Sequence, residues 1–480
     1  MTAFAAADVL RPACVVGGRE ETGDRRFPVV YPYTGETVGE APLLPRETVR
    51  RALDLAAAAR VALDRHARAQ VLERVAARIA AESEQLARLI TSESGLCLAD
   101  TRHETGRAVD VFRLAAHAAL DDDGRAFACD VSAHGRRRRA YTVREPVRLV
   151  AAVTPFNHPL NQVAHKLAPA IAAAAPIVLK PSEKTPLAAL WLARAILGAG
   201  YPEDALAVVT GDREEILDEM LAHDAVEVVS FTGGVDAGKA IAARLGYRRG
   251  VLELGGNDPL LVLRDADVER AAELAVTGAT RNSGQRCTAV KRVIVEEPVA
   301  DRLAAAVAAR AAALRVGDPA ADDTEIGTLI DEPAAALVEE RVRAAAADGA
   351  QLLAGGGRSG AQLVPPVLDR VEPRHELVRE ETFGPAIPLL RVRDLDEALA
   401  VANGTAYGLS AGVVSNDLAA ITRCIRELRC GTVNVDEVPG FRSEATPFGG
   451  VKASGLGVKE GVVEAMHGMA NVKLFTLPWP

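Results

Sequence analysis

Three scarcities in the sequence each exclude a class of function. Cysteine is sparse: Cys14, Cys97, Cys129, Cys287, Cys424 and Cys430 are scattered through 480 residues, with no C-x-x-C pair and no regular spacing. That argues against a disulfide framework and against a zinc ligand set, so no metal site is expected. Positive charge is not in surplus, since 65 acidic residues outweigh 56 basic ones for a net charge of −9. Neither nucleic acid nor an anionic membrane surface is an expected partner, because both demand a basic face. Long apolar runs are missing too. LAPAIAAAAPIVL (167–179) is too short to span a bilayer and is interrupted by prolines. The opening MTAFAAADVLRPAC lacks a basic region and carries Asp8 within its apolar stretch, which argues against a signal peptide. The expected location is the cytoplasm.

What is present is an ordinary globular composition, 49% hydrophobic and 25% charged, in a chain long enough for about three domains. Apolar residues at helical spacing recur in 47–63, 70–90 and 101–120, which predicts a helical opening third. Short β-branched runs then alternate with helical ones from RLVAAVT through EVVSFT, and a second such series starts near VLELGG (251–256). Strand, loop and helix in repetition mean parallel sheets covered by helices, so the chain reads as two α/β units. The segment 121–146 stands apart. Its four consecutive arginines (136–139) fall alternately on two faces if the segment is a strand, which predicts a solvated or intersubunit strand. GGGRSG (355–360) fits a dinucleotide pattern, but Pro365 and Pro366 follow almost at once, so no helix can start there to hold a pyrophosphate.

Six short stretches carry side chains suited to chemistry. NSGQRCT (282–288) sets Cys287 beside a permanent cation, and a neighbouring cation favours thiolate, the nucleophilic form. ELGGND (253–258) puts Glu253 before a Gly-Gly turn, where a mobile carboxylate can activate water. TPFNHP (154–159) offers the Asn157 amide as an oxyanion donor. VLKPSEKTP (178–186) ends a strand with Lys180 and Glu183, suited to the hydroxyls of a ribose. SFTGGVDAGK (230–239) is a glycine-rich strand-to-helix turn that can approach a pyrophosphate. The sixth is REETFGP (379–385). Singly, each reads equally well as a strand end, a turn or an ion pair.

Together and in order, PFNHP, KPSE, FTGG, ELGG, GQRC, EETFGP and PFGGVKASGLG (447–457) resemble the aldehyde dehydrogenase superfamily over essentially the whole chain. The resemblance implies that Cys287 is the nucleophile, Glu253 the general base, and Asn157 with the Cys287 backbone N–H the oxyanion hole. It also implies a dinucleotide site. Lys180 and Glu183 would hold the adenosine ribose, Gly233 and Gly238 would mark the pyrophosphate turn, with Gly234 beside them, and Glu381 and Phe383 would place the nicotinamide ribose and ring; Thr154, Phe156, Ser182, Phe231 and Leu254 are further cofactor-binding residues. The family's turn often has serine where this chain has Gly234. A carboxylate at Glu183 accepts a hydrogen bond from the ribose of NAD and repels the extra phosphate of NADP, so NAD is the expected cofactor. The implied fold is α/β and aldehyde dehydrogenase-like, two Rossmann-type domains plus a small β oligomerisation element. The NAD-binding domain spans 1–122 and 147–250, the catalytic domain 251–454, and the oligomerisation element 123–146 and 455–480, within a homodimer or homotetramer.

Relatives that act on simple aldehydes commonly lack arginine before the cysteine. The planar fork of Arg286 suits phosphonate, phosphate or carboxylate oxygens. The resemblance adds Arg107 in the helix lining the substrate tunnel, His158 after Asn157, Thr288 beside Cys287, and Arg442 in a late closing loop. SGQRCTAVKR, VPGFRSEATPFGG and NVKLFTLPWP are most similar to the family's phosphonoacetaldehyde dehydrogenases. The first is also similar to non-phosphorylating glyceraldehyde-3-phosphate dehydrogenases. The expected reaction is oxidation of phosphonoacetaldehyde to phosphonoacetate through a Cys287 thiohemiacetal and a thioester, hydrolysed by water rather than passed to coenzyme A. Alternatives are another phosphonate aldehyde such as phosphonoformaldehyde, glyceraldehyde 3-phosphate, a catalytically silent structural or binding member of the fold, or a thiol hydrolase using His158.

Overall fold

The computed structural model describes residues 9–121, 124–458 and 460–480. The stretch around Asp8 and the start of the arginine-rich segment at Asp122 and Asp123 lie outside the described residues. Two seven-stranded sheets organise the chain. The first runs, in spatial order, Arg249–Glu253, Val228–Thr232, Val150–Val153, Ile177–Lys180, Leu206–Val208, Cys14–Val16 and Arg19–Glu21. Its first five strands are parallel, buried and rich in Val, Ile, Leu and Ala, as a sheet covered on both faces requires. The second runs Gln351–Ala354, Val367–Asp369, Ile387–Val392, Val290–Glu296, Asp258–Val262, Ser410–Val414 and Thr432–Val435, parallel except at the first pair.

Several helices open at an aspartate whose carboxylate accepts first-turn N–H groups, among them Asp64, Asp212, Asp267, Asp331, Asp394 and Asp417. The opening third is helical over Arg46–Ala58, Arg65–Ala81, Ser83–Ser94 and Leu98–Leu120. Periodicity alone missed two things there. The run 70–90 breaks at Glu82, which has left the helical region, and short strands precede the first helix. Two of them, Cys14–Val16 and Arg19–Glu21, complete the first sheet by antiparallel pairing.

The junction between the sheets also differs from the expected boundary at 250/251. Val251 to Glu253 pair with Ser230 to Thr232, so this strand closes the first sheet, and the chain crosses at Leu254–Asn257. The Gly255-Gly256 pair makes the crossing possible, because a side chain at Gly256 would collide with the Cys287 carbonyl and one at Gly255 with the Glu381 carboxylate. The C-terminal segment divides as well. Ala470–Pro478 pairs antiparallel with Arg138–Pro146 in a three-stranded sheet completed by Ala126–Ala128. The helix Val462–Gly468 packs instead on Asn161–Ala173, with Val462 and Met469 joining the core of the first unit. GGGRSG forms a tight hairpin, Arg358–Ser359 with Gln362–Leu363, and starts no helix.

Candidate active site

Four of the motifs lie at carboxyl ends of the first sheet's strands and two just before strands of the second, joined by Asn157 to Gln285 and Gly256 to Glu381. Cys287 arrives on an unusual bend. Asn282, Ser283 and Gly284 take φ of 55°, 51° and 71°, three left-handed residues in succession, two of which are not glycine. Such residues cost about 1 kcal/mol or more each and persist only where neighbours hold them. The holders are visible. Asn282 N–H donates to Asp100 Oδ2 (2.8 Å), its side-chain amide donates to the Asn157 carbonyl (3.1 Å), and Gln285 Oε1 accepts the Ile330 N–H (2.8 Å). Gly284 is obligatory, since a Cβ there would lie 2.2 Å from the Gly384 backbone.

Beyond the cysteine, buried Lys291 donates to the carbonyls of Arg286 (2.7 Å) and Cys287 (2.8 Å) and lies 3.4 Å from Glu381. The thiol of Cys287, a half-buried residue, is pushed up to about 11 by desolvation, which outweighs Lys291 and, last among the influences, Arg286. Arg286 therefore favours the thiolate, as expected of a neighbouring cation, but burial outweighs it. Asn157 Nδ2 donates one N–H to the Gln285 carbonyl (2.7 Å), which brings the amide to the nucleophile segment with a second N–H to give. Glu253 is buried at its strand's end, its carbonyl accepting the Gly233 N–H (3.0 Å).

On one side of this centre lies a cradle. Val150–Val153 and Val228–Thr232 are neighbours from which the sheet proceeds in opposite directions, and ligands of α/β sheets bind at the carboxyl ends of such a pair. Thr154 follows the first of these strands and Thr232 ends the second, and both hydroxyls are buried with no hydrogen-bond partner among the described residues. Buried polar atoms are ordinarily satisfied, so their state fits a ligand-binding surface. Gly234 caps the helix Val235–Ala242 with open space above it, whereas Gly233 is packed against the Phe231 ring and Gly238 against Leu254. Lys180 lies 3.2 Å from Glu183, Ser182 Oγ accepts the Lys184 N–H (3.2 Å), and Phe156 meets Phe383 edge to face at 5.8 Å. Glu381 accepts the Gly256 N–H (3.0 Å). These groups fit a dinucleotide, whose ribose hydroxyls and pyrophosphate would meet a carboxylate pair and a glycine turn.

On the other side is a cavity of about 610 Å³. Arg107, Arg113, Arg281, Arg286 and Arg442 line it, against only Asp110, Glu437 and Glu444 among the acids. Arg113 and Arg281 carried no motif and were not foreseen. Glu444 is the internal counter-ion, its carboxylate meeting Arg107 at 2.5 Å, His165 at 2.6 Å and Arg442 at 3.7 Å. Burial opposes its charge, yet His165, Arg107 and Arg442 hold the Glu444 carboxyl well below the usual range. Burial and Arg107 in turn lower Arg286 to about 10 and lower Arg442 as well.

Gly440 lets the late loop close over this wall, its carbonyl 3.5 Å from Arg286 Nη2. Two expected substrate contacts do not line the cavity. His158 lies 3.3 Å from Asn282 Nδ2 and 3.6 Å from Glu104, and Thr288 Oγ1 lies 3.5 Å from Arg286 Nη2.

The comparisons agree with this geometry. Residues 19–475 match the model of the aldehyde dehydrogenase family. The chain is 36% identical to a sulfoacetaldehyde dehydrogenase of Neptuniibacter caesariensis over 94% of its own length and 99% of the relative's. It is 35% identical to a 3-sulfolactaldehyde dehydrogenase of Priestia aryabhattai, covering 96% and 97%. Its fold superposes with a TM-score of 0.95 on the NADP-dependent glyceraldehyde-3-phosphate dehydrogenase of Bacillus halodurans, at 33% identity and covering 98% and 100%.

Proposed function

The chain belongs to the aldehyde dehydrogenase family and is an NAD(P)-dependent enzyme, and on that premise we propose that it oxidises a short aldehyde whose far end is a tetrahedral oxyanion. The observation that carries this reading is the arginine-lined cavity, which shares Arg286 with the nucleophile segment. Five guanidinium groups face three carboxylates there, and a phosphonate, carrying about two negative charges near neutrality as a phosphate monoester does, balances the surplus. Phosphonoacetaldehyde is thus our first substrate. Sulfoacetaldehyde, with a single charge, is the second, favoured by the similarity to a sulfoacetaldehyde dehydrogenase.

In this mechanism the cavity arginines grip the oxyanion and bring the aldehyde carbon to Cys287. The thiol must ionise first, its proton passing to water, and Lys291 is the cation that favours the thiolate most. The thiolate adds to the carbon, and the new oxyanion is received by the second Asn157 N–H and the Cys287 backbone N–H. When bound, the dinucleotide would accept the hydride whose loss from the Cys287 thiohemiacetal leaves a thioester. Glu253 takes a proton from water, which opens the Cys287 thioester and releases the acid. Thr154, Phe156, Lys180, Ser182 and Glu183 would hold the dinucleotide together with the turn at Phe231, Gly233, Gly234 and Gly238, and with Leu254, Glu381 and Phe383. Glu183 supports NAD over NADP, its carboxylate opposing a 2′-phosphate. We place the enzyme in the cytoplasm as a homodimer or homotetramer; the arginine-rich strand Arg138–Pro146 and the edge strand Ala470–Pro478, with exposed Val472, Leu474 and Leu477, suit an intersubunit contact. No helix among the described residues is long and apolar enough to cross a membrane.

The test is formation of reduced cofactor, with NAD and with NADP, across phosphono-, sulfo-, phospho- and carboxy-aldehydes and propanal. A kcat/KM at least about tenfold higher for an oxyanion aldehyde than for propanal is expected from charge-assisted contacts. A preference for propanal would overturn the substrate class, and no turnover of any aldehyde would leave the silent binding protein.

A further inference from the structure

Asp100, Glu104 and Arg107 follow one another at i, i+4 and i+7 and so project from one face of the helix Leu98–Leu120. Each reaches a different part of the catalytic centre. Asp100 Oδ2 accepts the N–H of Asn282, the residue that begins the left-handed run before Cys287. Glu104 Oε1 accepts the N–H groups of Leu160 (2.8 Å) and Asn161 (2.9 Å), donors that the start of the helix Asn161–Ala173 would otherwise leave unsatisfied. Asn157 sits in the turn just before them, and Glu104 Oε2 lies 3.6 Å from the intervening His158. Arg107 enters the oxyanion cavity.

The two loops are also tied to each other, through Asn157 to the Gln285 carbonyl and Asn282 to the Asn157 carbonyl. Two strained or end-of-helix segments thus depend on carboxylates from a single rigid element. We infer that this helix sets the register of the catalytic centre, with Asp100 as the positioning residue for the nucleophile segment and Glu104 as that for the oxyanion loop. The inference rests on the reaction proposed above, but it also makes a claim about Cys287 that needs no reaction.

The test uses the full-length chain, with Asp100→Ala and Glu104→Ala and the milder Asp100→Asn and Glu104→Gln. Alkylation of Cys287 by uncharged iodoacetamide, without cofactor, is followed by mass spectrometry beside kcat, KM and Tm. Losing Asp100 frees the bend and relieves the desolvation of the thiol, so alkylation should quicken about tenfold, one unit of thiol ionisation. Glu104→Ala should leave alkylation within about twofold while kcat falls about 100-fold, the scale of a misplacement near 1 Å, with a smaller change in KM. The milder pair keeps an acceptor oxygen and should show the same split at about threefold, which covers an alanine variant that fails to fold. Equal alkylation in both members of each pair would overturn the inference, as would kcat losses that merely track Tm. If the parent turned over no aldehyde, the alkylation split would still decide the helix's role while the proposed reaction fell.

Discussion

Two groups of arginine in this molecule meet opposite fates. Arg136 to Arg139 are consecutive, yet in space they lie along an exposed hairpin, Arg138 donating to Thr476 across the strand pair and Arg139 lying 4.5 Å over the Trp479 ring. Arg107, Arg113, Arg281, Arg286 and Arg442 are dispersed over most of the chain, yet they converge on one cavity. Density along the sequence is therefore a poor guide to density in space. A strand divides a run between its two faces, whereas a helix and several loops packed around a cleft can aim distant residues at one point. The convergence has an electrostatic cost, visible in the depression of Arg286 and Arg442 by burial and by Arg107. Glu444 relieves part of it, and an anionic ligand relieves more.

The comparison breaks most decisively at Arg286. Arg286→Ala should lower kcat/KM for phosphonoacetaldehyde or sulfoacetaldehyde by about 30- to 100-fold, from the ~2–3 kcal/mol of hydrogen bonds to charged groups, with less than about threefold loss for propanal. Equal losses on charged and neutral aldehydes would mean that the residue serves the thiol instead.

That second role can be measured by the pH dependence of Cys287 alkylation. With the thiol pushed up to about 11, the thiolate fraction is still rising through neutrality, so the rate should climb about tenfold per pH unit from 7 to 9 without a plateau. Lys291→Met should suppress it more than Arg286→Ala, since Lys291 is the stronger of the two opposing influences. A plateau below pH 8 would show that burial does not dominate the thiol.

The smallest effect is expected in the hairpin. Arg138→Gln combined with Arg139→Gln should leave kcat/KM for every aldehyde within about twofold, as exposed ion pairs and surface contacts contribute little. Any change should appear in sedimentation, through the adjoining edge strand. A selective loss on charged aldehydes would mean that the consecutive arginines reach a substrate path after all.

Much of the chemistry was legible because it resides in short motifs. Asn157 meets the segment before Cys287, Lys180 pairs with Glu183 and Phe383 meets Phe156, all from stretches that can be picked out in the sequence. What escaped notice has no local signature. Asp100 and Glu104 look like ordinary polar residues of an amphipathic helix, Lys291 sits in a strand pattern, and Glu444 occupies a loop. The partners of Asp100, Glu104 and Glu444 lie far along the chain, while Lys291 turns back to the carbonyls of Arg286 and Cys287. His158 and Thr288, read as substrate contacts from their adjacency to Asn157 and Cys287, instead meet Asn282 and Arg286.

By itself the sequence determined the α/β class, the alternation that builds two parallel sheets, and the short motifs that carry the candidate reacting groups, because periodicity and glycine-rich turns act over a few residues. Only the tertiary structure decided that five separate arginines share a wall, that burial overrides a neighbouring cation at Cys287, and that the junction of the two sheets falls after Glu253. Those outcomes depend on desolvation and long-range packing, which exist only once distant segments have displaced water from between them.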